Sequence, residues 1–462
     1  MSSEKLNESF NITRLSDGWP LRILGLMSSK RPDRGRIERD STAGRSITRD
    51  AARRGGEMQA MFSNYDEFRQ RGLRLDMSRG KPAPAQLDLA TRRFAEAGDP
   101  GYLARDGADC RNYGFGLGLP EAREFGAALL ELEPEQVVAA GNSSLELMHD
   151  VLAFAMLHGL PGGAPWRGQE VAMLCPVPGY DRHFTICETL GIRMIAVPMR
   201  EDGPDMEIVE ALVRDDASIR GIWCVPLYSN PSGAIYSAST VNRLAAMPAA
   251  APDFRLVWDD AYRFHHLGET RHATPNLLAA CAAAGHPDRA FVFASLSKVT
   301  FGGAGVAFLA ASTRNLDWWA RHAGARSIGP DKLNQLRHVH ALRDRAGLES
   351  LMDGHRALLR PKFDAVQEGL AARLGGLAGV GWSRPEGGYF IGLALPPGHA
   401  KRVVALAGEA GLVLTPAGAV FPYREDPDDS YLRIAPSFPS LDEVRLAADA
   451  IAVSVRRALE ID

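Results

Sequence analysis

Six short apolar runs set the strongest limit on what this chain can fold into: VAMLCPVP (171–178), IRMIAVPM (192–199), IRGIWCVPLY (219–228), FRLVWDDAY (254–262), AFVFASLSK (290–298) and GVAFLAAS (305–312). Each ends in a turn or polar cluster, and longer helical patterns separate most of them. Strands alternating with helices are the signature of an α/β domain, a mostly parallel sheet flanked by helices. Ligands on such sheets sit at the strand ends, so the polar residues just after each run are the first candidates for function.

Beyond Leu342 the texture changes. A long helical segment is followed by GVGWSRPEGGYFIGLAL, GLVLTPAGAVF and YLRIAPSF, and a closing helix begins at Leu441. A few strands with flanking helices predict a second, smaller α+β domain. The expected division is a basic extension over 1–57, an N-terminal part of the small domain over 58–105, a large domain over 106–342, and the C-terminal small domain over 343–462. The extension contains SSKRPDRGRIERDSTAGRSITRDAARRGG, rich in arginine and poor in periodic apolar residues, which reads as a solvated tail.

Charge and cysteine usage exclude several function classes. With 53 basic and 56 acidic side chains the formal net charge is -3, which offers no global attraction to nucleic acid or to an anionic membrane. The five cysteines (110, 175, 187, 224, 281) show no CxxC spacing, so neither a disulfide framework nor a zinc site is expected. No run is long enough to span a bilayer and no secretory signal opens the chain, so the expected address is the cytoplasm. His265 with His266, and His338 with His340, lack a third ligand at metal-like spacing, and no metal is expected.

Four polar features stand at strand ends or loops: GNSS (141–144), SNPSG (229–233), DDAY (259–262) and SLSK (295–298). Singly, each is explained by turn or capping chemistry. Together, Asn230, Asp259 and Lys298 follow one another at the spacing of successive βα units, so one crevice would collect them. An amine that can form an imine, a carboxylate that can keep a pyridine nitrogen protonated, and asparagine and tyrosine donors for a phenolate oxygen are the requirements of pyridoxal 5'-phosphate.

The chain from about Met58 onward resembles the fold-type I pyridoxal-phosphate aminotransferases, and most closely the aspartate aminotransferase-like subgroup with SLSKVTFGGAGVAF. The resemblance implies that Lys298 carries the cofactor as an imine and shuttles the substrate proton. It implies that Asp259 pairs with the ring nitrogen, that Tyr262 and Asn230 hold the ring oxygen, and that Tyr180 in PVPGYDRHF stacks on the ring. Asn142, Ser143 and Ser144, with Ser295, would receive the phosphate where a loop enters a helix. Tyr113 in NYGFGLGLPEAR matches a tyrosine that reaches the partner subunit's site, which implies a homodimer with shared active sites.

Arg433 in YLRIAPSF matches the arginine that grips the substrate α-carboxylate. The loop SRGKPAP, with Gly80 and Lys81, resembles the segment that closes over substrate. One departure stands out: the usual phosphate-clamping arginine, eight residues after the lysine, is replaced by Val306. The implied activity is transamination between L-aspartate and 2-oxoglutarate. Arg182, Arg263 and Arg326 are unranked candidates for the side-chain carboxylate. A β-lyase, a decarboxylase or a cyclopropane-forming synthase would share the same core residues, and a non-catalytic regulator would need a DNA-binding domain for which the extension is too short.

Overall fold

The computed structural model describes residues 62–461. The arginine-rich stretch read as an extension, 1–57, lies outside the described residues. The main sheet has eight strands: β1 (Val137–Ala139), β2 (Ala172–Val177), β3 (Arg193–Arg200), β4 (Gly203–Pro204), β5 (Ile219–Cys224), β6 (Arg255–Asp259), β7 (Ala290–Ser295) and β8 (Ala307–Ala311). Their spatial order is β1-β8-β7-β6-β5-β2-β3-β4. The central strands β3, β2, β5, β6 and β7 are mutually parallel. The α/β expectation therefore holds, and every apolar run singled out in the sequence becomes a strand.

The margins of the sheet run the other way. β8 pairs antiparallel with both β7 and β1, and β4 pairs antiparallel with β3. The link from Ser295 to Ala307 carries no helix, and it is shorter than the crossover of about a dozen or more residues that parallel pairing requires. β8 therefore folds back beside β7.

Strands buried on both faces need apolar residues at odd and even positions alike, and this explains why the runs are continuous rather than alternating. Along β6, Leu256 and Trp258 join the core on one face, while Val257 joins the core on the other. Along β7, Val292 faces the first side, and Phe291 and Phe293 face the second.

Two helices enter the sheet's working edge: α1 (Ser144–His158), capped by Ser143, and α2 (Asp181–Leu190), which starts directly after Tyr180. Beyond the main sheet, Gly381–Trp382, Ile391–Ala394 and Tyr431–Ile434 form a three-stranded antiparallel sheet. It packs with α3 (Arg345–Leu374) and α4 (Leu441–Ala458). Leu75–Asp76 pairs in parallel with Leu412–Val413, so chain far upstream is sewn into this lobe. The same core takes in Tyr228 and Tyr262 from the loops after β5 and β6, which fixes those loops against the small lobe. All five cysteines are buried and free. Among the described residues no helix is long and apolar enough to cross a membrane.

Candidate active site

Three adjacent parallel strands deliver the three residues singled out by spacing. Asn230 lies in the turn after β5, Asp259 is the last residue of β6, and Lys298 follows β7. Parallel pairing puts their carboxyl ends side by side, so residues separated by tens of positions meet at one edge.

Asp259 is almost fully buried, and its two oxygens have different surroundings. Oδ2 accepts a hydrogen bond from His183 Nε2 at 3.1 Å. Oδ1 has no hydrogen-bond partner among the described residues. A buried carboxylate oxygen left bare is costly and demands a donor. His183 is itself held by a parallel stack on Trp223, with ring centroids 4.2 Å apart.

The Lys298 amine lies over the Tyr262 ring, 4.9 Å from its centroid. Burial pulls its pKa below the ordinary lysine value, and the neighbouring Asp259 charge opposes that fall. No ion pair or hydrogen bond engages its Nζ among the described residues. Its backbone is gripped instead: the Lys298 carbonyl accepts from Tyr389 Oη at 3.3 Å, and His265 Nε2 lies 3.4 Å away. Burial pushes the Tyr262 phenol well above its usual range, and that of Tyr180 upward as well, with Asp259 adding to both. Both hydroxyls therefore stay protonated and can donate. Tyr180 meets His183 edge-on at 4.9 Å.

The loop before α1 and the loop after β7 are laced together. Ser297 Oγ donates to the Asn142 carbonyl at 2.7 Å, and Asn142 Nδ2 donates to the Gly303 carbonyl at 3.1 Å. Ser143 Oγ accepts from the Leu145 N–H, and Ser144 is the first residue of the helix. A Cβ on Gly305 would lie 3.0 Å from Ser297 N and 3.2 Å from the Asn142 carbonyl oxygen, so only glycine permits this approach without a shift. Ser295 ends β7 beside this loop. Val306 is buried in the sheet core, and its carbonyl accepts from the Leu296 N–H, so this position presents no cation to a phosphate. The loop offers backbone N–H groups, hydroxyls and a helix N-terminus in its place.

Arg433, from Tyr431–Ile434, reaches the same edge and is nearly buried. Its Nη1 pairs with Asp181 Oδ1 at 3.0 Å and lies 3.5 Å from Asn230 Oδ1. Its Nε donates to Thr415 Oγ1 at 3.4 Å, and its guanidinium covers the Phe390 ring at 4.8 Å. Gly80 packs closely against that ring, and a Cβ there would lie 2.3 Å from Phe390 Cζ. The Lys81 amine lies 3.9 Å from the centre of the Phe438 ring.

The remaining candidates separate clearly. Tyr113 is 78% exposed, on a loop outside this cluster. Arg263 is held by Asp260 at 2.8 Å and by Glu131, and Arg326 by Asp150 at 2.7 Å and by Glu146. Arg182 is exposed and sits between Asp181 and His183, at the site's rim. The histidine pairs have protein partners: His266 with Tyr228 Oη, His338 with Thr300 Oγ1 and His340 with the Ala97 carbonyl.

Sequence reasoning passed over His183, Asp181, Phe390, Thr415 and Tyr389. His183 was accessible in principle, since it stands three residues after Tyr180 at a helix start, and that spacing puts both on one face. Asp181, Phe390 and Thr415 come from three distant segments, and only the fold brings them to Arg433.

The residues fit pyridoxal phosphate on two independent observations. A bare buried carboxylate oxygen suits the N–H of a protonated pyridine, and an amine with depressed basicity and, among the described residues, no ion pair or hydrogen bond suits an aldehyde.

Residues 50–461 match the family described as aspartate amino-transferase. A Mycolicibacterium smegmatis protein assigned to the aminotransferases without a named substrate is 52% identical over 393 residues, covering 84% of this chain and 92% of that protein. An aspartate aminotransferase of Corynebacterium glutamicum is 44% identical over 408 residues, covering 88% of this chain and 94% of that protein. A crystal structure of an aspartate transaminase from Corynebacterium glutamicum superposes with a TM-score of 0.83 at 45% identity, covering 85% of this chain and 93% of the other.

Proposed function

The chain belongs to the aspartate aminotransferase family, and on that footing we propose that it moves the α-amino group of L-aspartate to 2-oxoglutarate in two half-reactions at one site. The observation that carries the reading is the coincidence of a bare, buried Asp259 Oδ1 with an unpaired Lys298 amine at the ends of neighbouring strands. Pyridoxal 5'-phosphate, when bound, supplies the electron sink that makes removal of the substrate α-proton feasible near neutral pH.

Each side chain then has a task set by its surroundings. Asp259 would hold a proton on the ring nitrogen, and His183 fixes the carboxylate by occupying Oδ2. Tyr262 and Asn230 would donate to the ring oxygen, and Tyr180 would cover the ring. Lys298 Nζ removes the proton from the substrate α-carbon, a role favoured by its lowered basicity. Asn142, Ser143, Ser144 and Ser295 receive the phosphate. Arg433 binds the α-carboxylate while Phe390 supports its guanidinium.

Aspartate is favoured by the 44% identical relative that carries that name. Of the three arginines considered for the second carboxylate, Arg182 is the one at the rim without a carboxylate pair among the described residues, and we assign it that role. Tyr113, exposed on its loop, is assigned to the site of a second copy, so that the active unit is a homodimer. The test is product analysis with L-aspartate and 2-oxoglutarate. Oxaloacetate and glutamate formed in equal amounts support the reading; alanine with carbon dioxide, or free ammonia, overturns it.

A further inference from the structure

Arg433 already has a carboxylate. Its guanidinium is 8% exposed, and a cation so placed needs a compensating charge. Among the described residues the only ion pair that Arg433 makes is with Asp181, at 3.0 Å. Its other neighbours, the Thr415 hydroxyl, the Asn230 amide oxygen and the Phe390 face, are neutral. Asp181 is built to leave as well as to hold. It is only partly buried, and it is the first residue of α2, where the helix N-terminus stabilises a carboxylate that has lost its cation.

We propose that Asp181 is an internal carboxylate that competes with the substrate α-carboxylate for Arg433, so that binding is an exchange of one carboxylate for another. The proposal rests on the assignment of Arg433 as the carboxylate-binding residue. Its consequence is that substrate affinity reflects the difference between two similar pairs rather than the full strength of one. A second consequence is selection. An amine without a carboxylate cannot replace Asp181, so it leaves Arg433 paired and the site in its resting arrangement. When displaced, Asp181 remains in the first turn of α2, only partly buried, where solvent and the helix N-terminus compensate its charge.

The inference is tested by equilibrium binding of succinate, a four-carbon dicarboxylate with no amino group to react, to the pyridoxal-phosphate-loaded protein by calorimetry. In Asp181→Asn, which keeps shape and removes charge, the succinate Kd falls about tenfold or more, because the buried guanidinium is left uncompensated until the ligand arrives. Asp181→Ala shows the same direction, and in both variants the KM for aspartate falls while kcat does not rise. An unchanged or weaker succinate Kd in both variants, with the fold intact by circular dichroism, would mean that Asp181 only orients Arg433 and would overturn the proposal. Arg433→Gln separates this failure from failure of the underlying assignment. Loss of succinate binding in Arg433→Gln supports Arg433 as the carboxylate site, whereas wild-type binding there refutes that assignment and the exchange with it.

Discussion

The contact between Gly80 and Phe390 yields the sharpest steric prediction. A Cβ added at Gly80 would lie 2.3 Å from Phe390 Cζ and 2.5 Å from Cε1, far inside van der Waals contact. Phe390 cannot swing to solvent, because it is 6% exposed, carries the Arg433 guanidinium at 4.8 Å and meets the Tyr262 ring edge-on at 6.5 Å. The clash must therefore disturb a ring that touches the two groups assigned to carboxylate and ring oxygen. Overpacking of this kind costs about 1–3 kcal/mol, which corresponds to roughly fivefold to 150-fold in binding. Gly80→Ala should raise the KM for aspartate and the succinate Kd within that range, with kcat less affected. Phe390→Leu in the same chain should recover part of the loss, since the shorter side chain vacates the volume that the new methyl needs. Gly408→Ala is the control: nothing lies within 4 Å of its added Cβ, it sits in the helix Ala400–Glu409, and it should leave kinetics unchanged while adding about 0.5–1 kcal/mol of stability. Wild-type KM and succinate Kd in Gly80→Ala would refute the steric chain from loop to guanidinium.

Asp259→Asn keeps the side chain's shape and removes its charge, so the single-turnover rate with aspartate should fall by about two to four orders of magnitude; a loss under tenfold would contradict the role of the carboxylate. His183→Leu strips the donor from Asp259 Oδ2 and the stack from Trp223, leaving a buried acceptor unpaired at a cost of about 1–3 kcal/mol; faster cofactor dissociation together with a lower thermal midpoint is expected, and unchanged values of both would argue against it. His338 and His355 are held by burial at a pKa of about 4, below the ordinary 6.5. Between pH 6.5 and 4 the unfolded chain binds protons that the folded chain refuses. Stability is therefore full above pH 6.5 and falls as the pH drops toward 4, by at most about 3 kcal/mol for each histidine. Urea midpoints at pH 7 and pH 5 read this directly, and His338→Gln should flatten the difference.

Legibility followed the range of the interaction that decides each feature. Continuous apolar runs announce strands buried on both faces, and the spacing from Asn230 to Asp259 to Lys298 announces three successive units of a parallel sheet, because both signals are local. The reversal at β8 was also latent in a connection too short for a crossover, whereas β1, three residues long, carries too little pattern to be read. In the site, residues on one strand end or one helix start, such as Asp259, Lys298 and Tyr180, are visible as motifs. The surroundings of Arg433 are not: Asp181, Thr415 and Phe390 reach it from α2, a loop and the end of a small-lobe loop, and no spacing rule relates them. The substitution of Val306 for a phosphate-clamping cation was visible at once. The lacing of Ser297, Asn142 and Gly303 into one loop pair beside that position needed the coordinates.

The central claim is that Lys298 is the residue joined to the cofactor, and reductive trapping tests it most directly. Borohydride added to the pyridoxal-phosphate-loaded protein, followed by proteolysis and mass spectrometry, should place the added cofactor mass on the peptide that contains Lys298 and on that side chain. Recovery of that peptide without added mass, or with the mass on another lysine, would contradict the account.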